Sequence, residues 1–86
     1  MIASDMNWFD MWLQDRRDIA NIMRKNMAAD LDAGYDPKGH SIRKQIVDIE
    51  EYEMNTDRQL DMFKTMEDKA VNRWCYYDMK KRGVIA

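Results

Sequence analysis

Very little in this 86-residue chain can cross-link or punctuate it: one cysteine, one histidine, one proline and three glycines. The lone cysteine, Cys75, excludes an internal disulfide framework. The lone histidine, His40, excludes the usual zinc sites, which draw on several His and Cys ligands. Gly34 and Gly39 are not followed by the Lys-Ser/Thr of a phosphate-cradling loop, and no βαβ pattern supports dinucleotide binding. No apolar run approaches the ~20 residues needed to span a bilayer. Residues 1–6 lack the basic stretch and apolar core of a secretory signal. Charge of one sign is lacking too: 16 acidic against 14 basic side chains give a net −2, so no overall field draws nucleic acid or anionic lipid. The expectation is one soluble, cytoplasmic domain over residues 1–86, with no metal and no cofactor. A chain this short buries only ~60–65% of its unfolded surface, so its packing must be good or shared.

What is present is apolar, and unusual in kind. Hydrophobic residues make up 45% of the chain, with nine methionines, three tryptophans and four tyrosines. Leucine is scarce, with Leu13 and Leu31 in the first half. Methionine fills irregular cores and also serves adaptable binding surfaces. Charge is unevenly spread: residues 1–40 and 41–63 are net acidic, and residues 64–86 are net basic.

Breakers cluster once, in residues 33–40, where Asp36-Pro37-Lys38-Gly39 suits a type I turn. Before it, Ser4 can cap a helix beginning at Asp5, and Gly34 suits its left-handed end. At 100° per residue, Trp8, Trp12, Ile19 and Ile22 form one stripe, with Phe9, Leu13, Ala20, Met23, Met27 and Leu31 beside it. Asp10, Gln14, Asp18, Asn21 and Lys25 take the opposite face. Arg16 falls within the apolar surface, and its stem is expected to pack there while its guanidinium reaches water.

After the turn, Ser41 is the expected N-cap of a helical stretch reaching about Arg82. Ile42, Ile46, Ile49, Leu60, Phe63, Ala70, Trp74 and Tyr77 fall on a row of alternating three- and four-residue steps that Glu53, Thr56 and Glu67 interrupt. Two capping-box patterns, Thr56-Asp57-Arg58-Gln59 and Thr65-Met66-Glu67-Asp68, offer a break. An unbroken helix would be ~60 Å long and would carry Trp74 and Tyr77 into water. A break near Thr65 instead makes the first two helices similar in length. The predicted fold is all-α, an antiparallel three-helix bundle with helices over about 5–32, 42–64 and 66–82. The alternative is a long helical hairpin that dimerises.

Catalytic equipment is sparse. A Cys/His relay requires His40 in the turn to reach Cys75, and a solvated histidine with an inert thiol is the simpler reading. Glu50, Asp57, Asp61 and Asp68 would share a face on an unbroken helix, with Glu53 nearby. Di-iron bundles need Glu-x-x-His pairs, which this chain lacks. Helical nucleotide pyrophosphohydrolases use Glu-Glu-x-x-Glu followed by Glu-x-x-Asp, and Glu50-Glu51-Tyr52-Glu53 has the wrong spacing. The acids therefore read as a solvated face, with neither a metal site nor an enzyme implied.

The most distinctive stretch is residues 72–83. Ala70, Trp74 and Tyr77 form one helical stripe, and Val71, Cys75 and Met79 form another. So apolar a helix is wedged between others or doubles as a contact surface. Large aromatics dominate interface hot spots, which makes Trp8, Trp12, Trp74, Tyr76, Tyr77 and Met79 the candidate protein-interface residues. Lys80, Lys81 and Arg82 suit the carbonyl end of a helix that Gly83 terminates. With Arg73 they also form the alternative, a basic and aromatic nucleic-acid surface, though so few cations would give weak, salt-sensitive affinity.

Arg73-Trp74-Cys75-Tyr76-Tyr77-Asp78, with Lys81-Arg82-Gly83-Val84-Ile85, resembles the ends of small uncharacterised helical proteins from bacteria and their phages or mobile elements. The resemblance spans about the last fifteen residues. It implies an accessory protein that binds and modulates a larger host protein, a class that includes anti-CRISPR inhibitors, and it implies no catalytic residue. The expected partner is another protein or a second copy as a homodimer, then nucleic acid, and no membrane.

Overall fold

The computed structural model describes residues 7–34 and 41–86, and these form three helices, α1 (Trp8–Asp32), α2 (Ile42–Phe63) and α3 (Asp68–Lys81). No strand occurs among the described residues, and the all-α three-helix expectation holds. No helix is long and apolar enough to cross a membrane among the described residues. α1 is the spine, packing against both α2 and α3.

The helix ends follow from local chemistry. α1 starts at Trp8, three residues later than predicted, because Asn7 caps it: its Oδ1 accepts from the Asp10 amide at 3.1 Å. Ser4 lies outside the described residues, as do the Asp36–Gly39 turn and His40. Gly34 takes φ +64 just past the end of α1, the left-handed conformation that L side chains resist. Ser41 caps α2 as expected, its Oγ accepting from the Lys44 amide at 3.2 Å.

The break falls near Thr65, but not by the capping box read there. Thr65 donates its hydroxyl to the Met62 carbonyl at 2.7 Å, and Glu67 becomes the N-cap of α3 without a side-chain cap bond. The last turn of α3 closes as a Schellman motif around Gly83 (φ +77). There Gly83 N–H reaches the Lys80 carbonyl at 3.2 Å and Val84 N–H reaches the Met79 carbonyl at 2.9 Å.

The core sits at one end, where all three helices meet. Trp12, Phe63, Val71, Cys75 and Met79 are buried together, with Trp8, Phe9, Leu13, Leu60, Met66, Trp74 and Ile85 packed around them. Edge-to-face pairs knit it: Trp12 meets Phe63 at 5.2 Å and Trp74 at 6.0 Å, and Phe63 meets Trp74 at 5.1 Å between ring centroids. Each such pair adds ~0.5–1.5 kcal/mol beyond its buried area. Of the two stripes on α3, Val71, Cys75 and Met79 face inward, and Tyr77 on the other stripe is 57% exposed.

Beyond this end, α1 and α2 continue as a two-helix arm. Ala20 and Ile49 are buried there, whereas Ile22, Leu31, Ile46 and Val47 are exposed. This corrects the expectation that Ile22, Leu31 and Ile46 belong to core stripes: α3, only 14 residues long, leaves them uncovered.

Arg16 departs furthest from expectation. Its guanidinium is buried, not solvated: the residue is 8% exposed. Nε donates to Thr56 Oγ1 at 2.8 Å, Nη2 donates to the Tyr52 carbonyl at 3.2 Å, and the guanidinium carbon lies 3.9 Å from the Tyr52 ring centroid. The ring of Tyr52, a residue of another helix, supplies the cover that a single-helix reading cannot see.

Candidate functional site

The predicted interface residues divide into two groups. Trp12 and Met79 are 0% exposed, which corrects their assignment as contact residues: both are core. Trp12 is fixed further by its Nε1, which donates to Asp78 Oδ2 at 2.9 Å. Trp8 is half-buried and meets Tyr76 edge-to-face at 4.9 Å, and Trp74 is half-buried against Phe63. Tyr76 and Tyr77 pair at 5.1 Å, and Tyr77 is the most exposed aromatic among the described residues.

The basic candidates divide as well. Arg82 is tied inward, its Nε donating to Asp78 Oδ2 at 3.0 Å and its Nη1 to Asp15 Oδ2 at 3.1 Å. Burial alone would lower its pKa, but these two bonds outweigh burial and raise it, so the cation is locked in place. This removes Arg82 from the nucleic-acid set. Arg73, Lys80 and Lys81 are exposed and make no ion pair among the described residues. Lys80 lies 5.7 Å from the Tyr76 ring centroid.

These side chains share the outer face of α3. A shallow groove of about 440 Å³ runs along it, lined by Met66, Ala70 and Trp74 with Arg73, Tyr77 and Lys81, and with Asp78, which is bonded to Trp12 and Arg82. Lys69, exposed one turn before Arg73, extends the positive strip. An apolar floor beside unpaired cations suits a partner that brings an apolar side chain next to negative charge.

A larger open cleft, about 1110 Å³, lies where the start of α1 meets α2 and α3. Phe9, Leu60, Phe63 and Val71 are apolar in its lining, and Asp57, Asp68 and Lys69 bring both signs of charge. Its mixed electrostatics select no charge class.

Chemistry elsewhere is muted. Burial pushes the Cys75 thiol up to about 12, so at neutral pH it stays protonated and is a poor nucleophile. His40, its only conceivable imidazole partner, lies outside the described residues. The acidic row is divided by the break: Glu50, Asp57 and Asp61 lie on α2, Asp68 lies on α3, and Glu53 pairs with Arg24. No cluster of potential metal ligands occurs among the described residues.

Sequence reasoning missed the side chains that orient this face. Asn72 Oδ1 accepts from the amides of Trp8 at 2.6 Å and Phe9 at 3.3 Å, so α3 caps the start of α1. Nothing local to Asn72 signals a partner 64 residues away. The i,i+4 spacing of Asp78 and Arg82 was legible; Asp15, across the helix interface, was not.

No family model, curated protein or solved structure matches this chain.

Proposed function

We propose that this chain is a non-enzymatic protein-binding module that works through the outer face of α3. The observation that carries this reading is Tyr77, 57% exposed at the rim of an apolar groove and flanked by Arg73 and Lys81, cations with no ion pair among the described residues. Beyond its edge contact with Tyr76, this large aromatic is left in water beside a groove, and such residues anchor interfaces. The buried, protonated Cys75 and the divided acidic row favour binding over catalysis. The C-terminal resemblance supports a cytoplasmic accessory role, with a larger host protein as the partner and inhibition of the anti-CRISPR kind as one form of it.

The test is comparative capture. Tagged wild-type chain and the Tyr77→Ala and Arg73→Glu variants are exposed to native cell extract, and any retained protein is purified and remixed. A partner held by wild type and lost from both folded variants supports the reading. A partner retained equally by all three removes α3 from the interface.

A second reading, nucleic-acid binding through Arg73, Lys80 and Lys81, draws on the same exposed cations beside Tyr77. It expects complexes with single-stranded oligonucleotide that weaken steeply with salt. A mobility shift at low salt with no retained complex eliminates it.

A further inference from the structure

The outer face of α2 is patterned as the counterpart of the outer face of α3. Val47, Glu50, Met54, Asp57 and Asp61 are all exposed and recur at steps of three and four, which places them on one helical stripe, with the exposed Glu51 on its flank. Val47 and Met54 leave 44% and 52% of their surface in water. Glu50, Glu51 and Asp57 have no ion-pair partner among the described residues, and Asp61 pairs only with the exposed Lys64 at 3.1 Å.

We propose that a second copy of this chain docks its α2 stripe antiparallel onto the outer face of α3. Lengths agree: the α2 stripe from 47 to 61 covers ~21 Å, and residues 69–81 of α3 cover ~18 Å. So does the register. With Met54 opposite Tyr77, antiparallel counting and the side of the seam on which each residue falls bring Glu50 to Lys80, Glu51 to Lys81, Asp57 to Arg73 and Asp61 to Lys69. The same counting sets Val47 against Val84, itself exposed after the end of α3. Every acid on the stripe thus finds a cation, and both of its apolar residues find an apolar surface. Arg58 is the one like-charged neighbour of Arg73; it sits at the stripe's edge, its Nη1 3.5 Å from Asn55 Oδ1. Arg43 lies a turn before Val47, outside the stretch opposite α3. Made reciprocally, the contact is used twice in a two-fold dimer.

This inference rests on reading α3 as a docking face, but its test needs only the purified chain, so the two fail separately. Sedimentation equilibrium at low salt should show self-association, with a dissociation constant that rises at least ~tenfold on going to high salt. Arg73→Glu/Lys81→Glu and Glu51→Lys/Asp57→Lys should each be monomeric, with unchanged helical circular dichroism because all four positions are exposed. Mixing the two double variants should restore a one-to-one complex. As a second measurement, wild type mixed from labelled and unlabelled chains should give intermolecular contacts between the Met54 methyl and the Tyr77 ring. A wild-type chain that stays monomeric at ~1 mM and low salt overturns the proposal, as does a self-associated chain lacking the Met54–Tyr77 contact. Variants that do not recombine overturn it too. Capture of a foreign partner, or of an oligonucleotide, by a monomeric wild type leaves the α3 face in use and this occupant wrong.

Discussion

The two ends of the molecule are held together by different means. At the three-helix end, Trp12, Cys75 and Met79 are sealed from water, and rings from all three helices pack edge to face. Along the two-helix arm, Ala20 and Ile49 are the buried apolar residues, and polar links supplement them: Gln45 Nε2 donates to Asp30 Oδ2 at 3.0 Å, and Arg24 pairs with Glu53. Exposed pairs of the latter kind contribute ~0–1 kcal/mol. Cohesion therefore tracks the number of helices around a residue more closely than it tracks local hydrophobicity. Ile22 is as apolar as Ile49, yet it faces water because, among the described residues, no third helix covers it.

Substitutions can break or sharpen this contrast. The largest effect is expected at Trp12, where truncation to alanine removes ring contacts to two other helices and should cost ~3–5 kcal/mol in denaturant unfolding. Arg16→Ala at the junction of the two regions should cost ~2–3 kcal/mol, because it removes the cation that donates to Thr56 and the Tyr52 carbonyl and covers the Tyr52 ring. Alkaline pH should act next, first through Cys75 at the three-helix end. The Cys75 thiol ionises in the unfolded chain near its ordinary value but resists until about 12 in the fold. Stability present below the ordinary value is lost as pH rises through that window, on the order of 1–2 kcal/mol by pH 10. A melting temperature flat from pH 7 to 10 would contradict this. Ile22→Ala should change stability by less than ~0.5 kcal/mol, and a loss above ~2 kcal/mol would mean the arm is covered in solution.

The architecture was largely legible before any coordinate. Ser41, Gly34 and Gly83 mark helix ends through chemistry internal to a few residues, and the length of an unbroken second helix points to a break near Thr65. The candidate site was legible only in part. Helical periodicity assigns two stripes to α3 with equal force. Choosing Val71, Cys75 and Met79 as the inner one depends on where Trp12 and Phe63 stand, which is a property of the packed bundle. The burial of Arg16 escapes a single-helix reading for the same reason, since Thr56 and Tyr52 on the opposite helix make it tolerable. Trp12 and Met79 show that large apolar side chains announce burial and binding in the same words. Tyr77 could be told from them only after the helices were assembled.

The bond from Asn72 to the first amides of α1 has a consequence for how motion in this molecule can be observed. Those two amides are protected by a side chain on the last helix, not by their own helix, so they form a built-in gauge of whether α3 is seated. In hydrogen exchange, Trp8 and Phe9 should keep pace with the core of α3 and outlast the exposed turns of the arm. Asn72→Ala should uncouple them, speeding exchange at these two sites for a loss of only ~1 kcal/mol overall. The gauge thus reads departure of the docking helix separately from fraying of the arm, within a single spectrum.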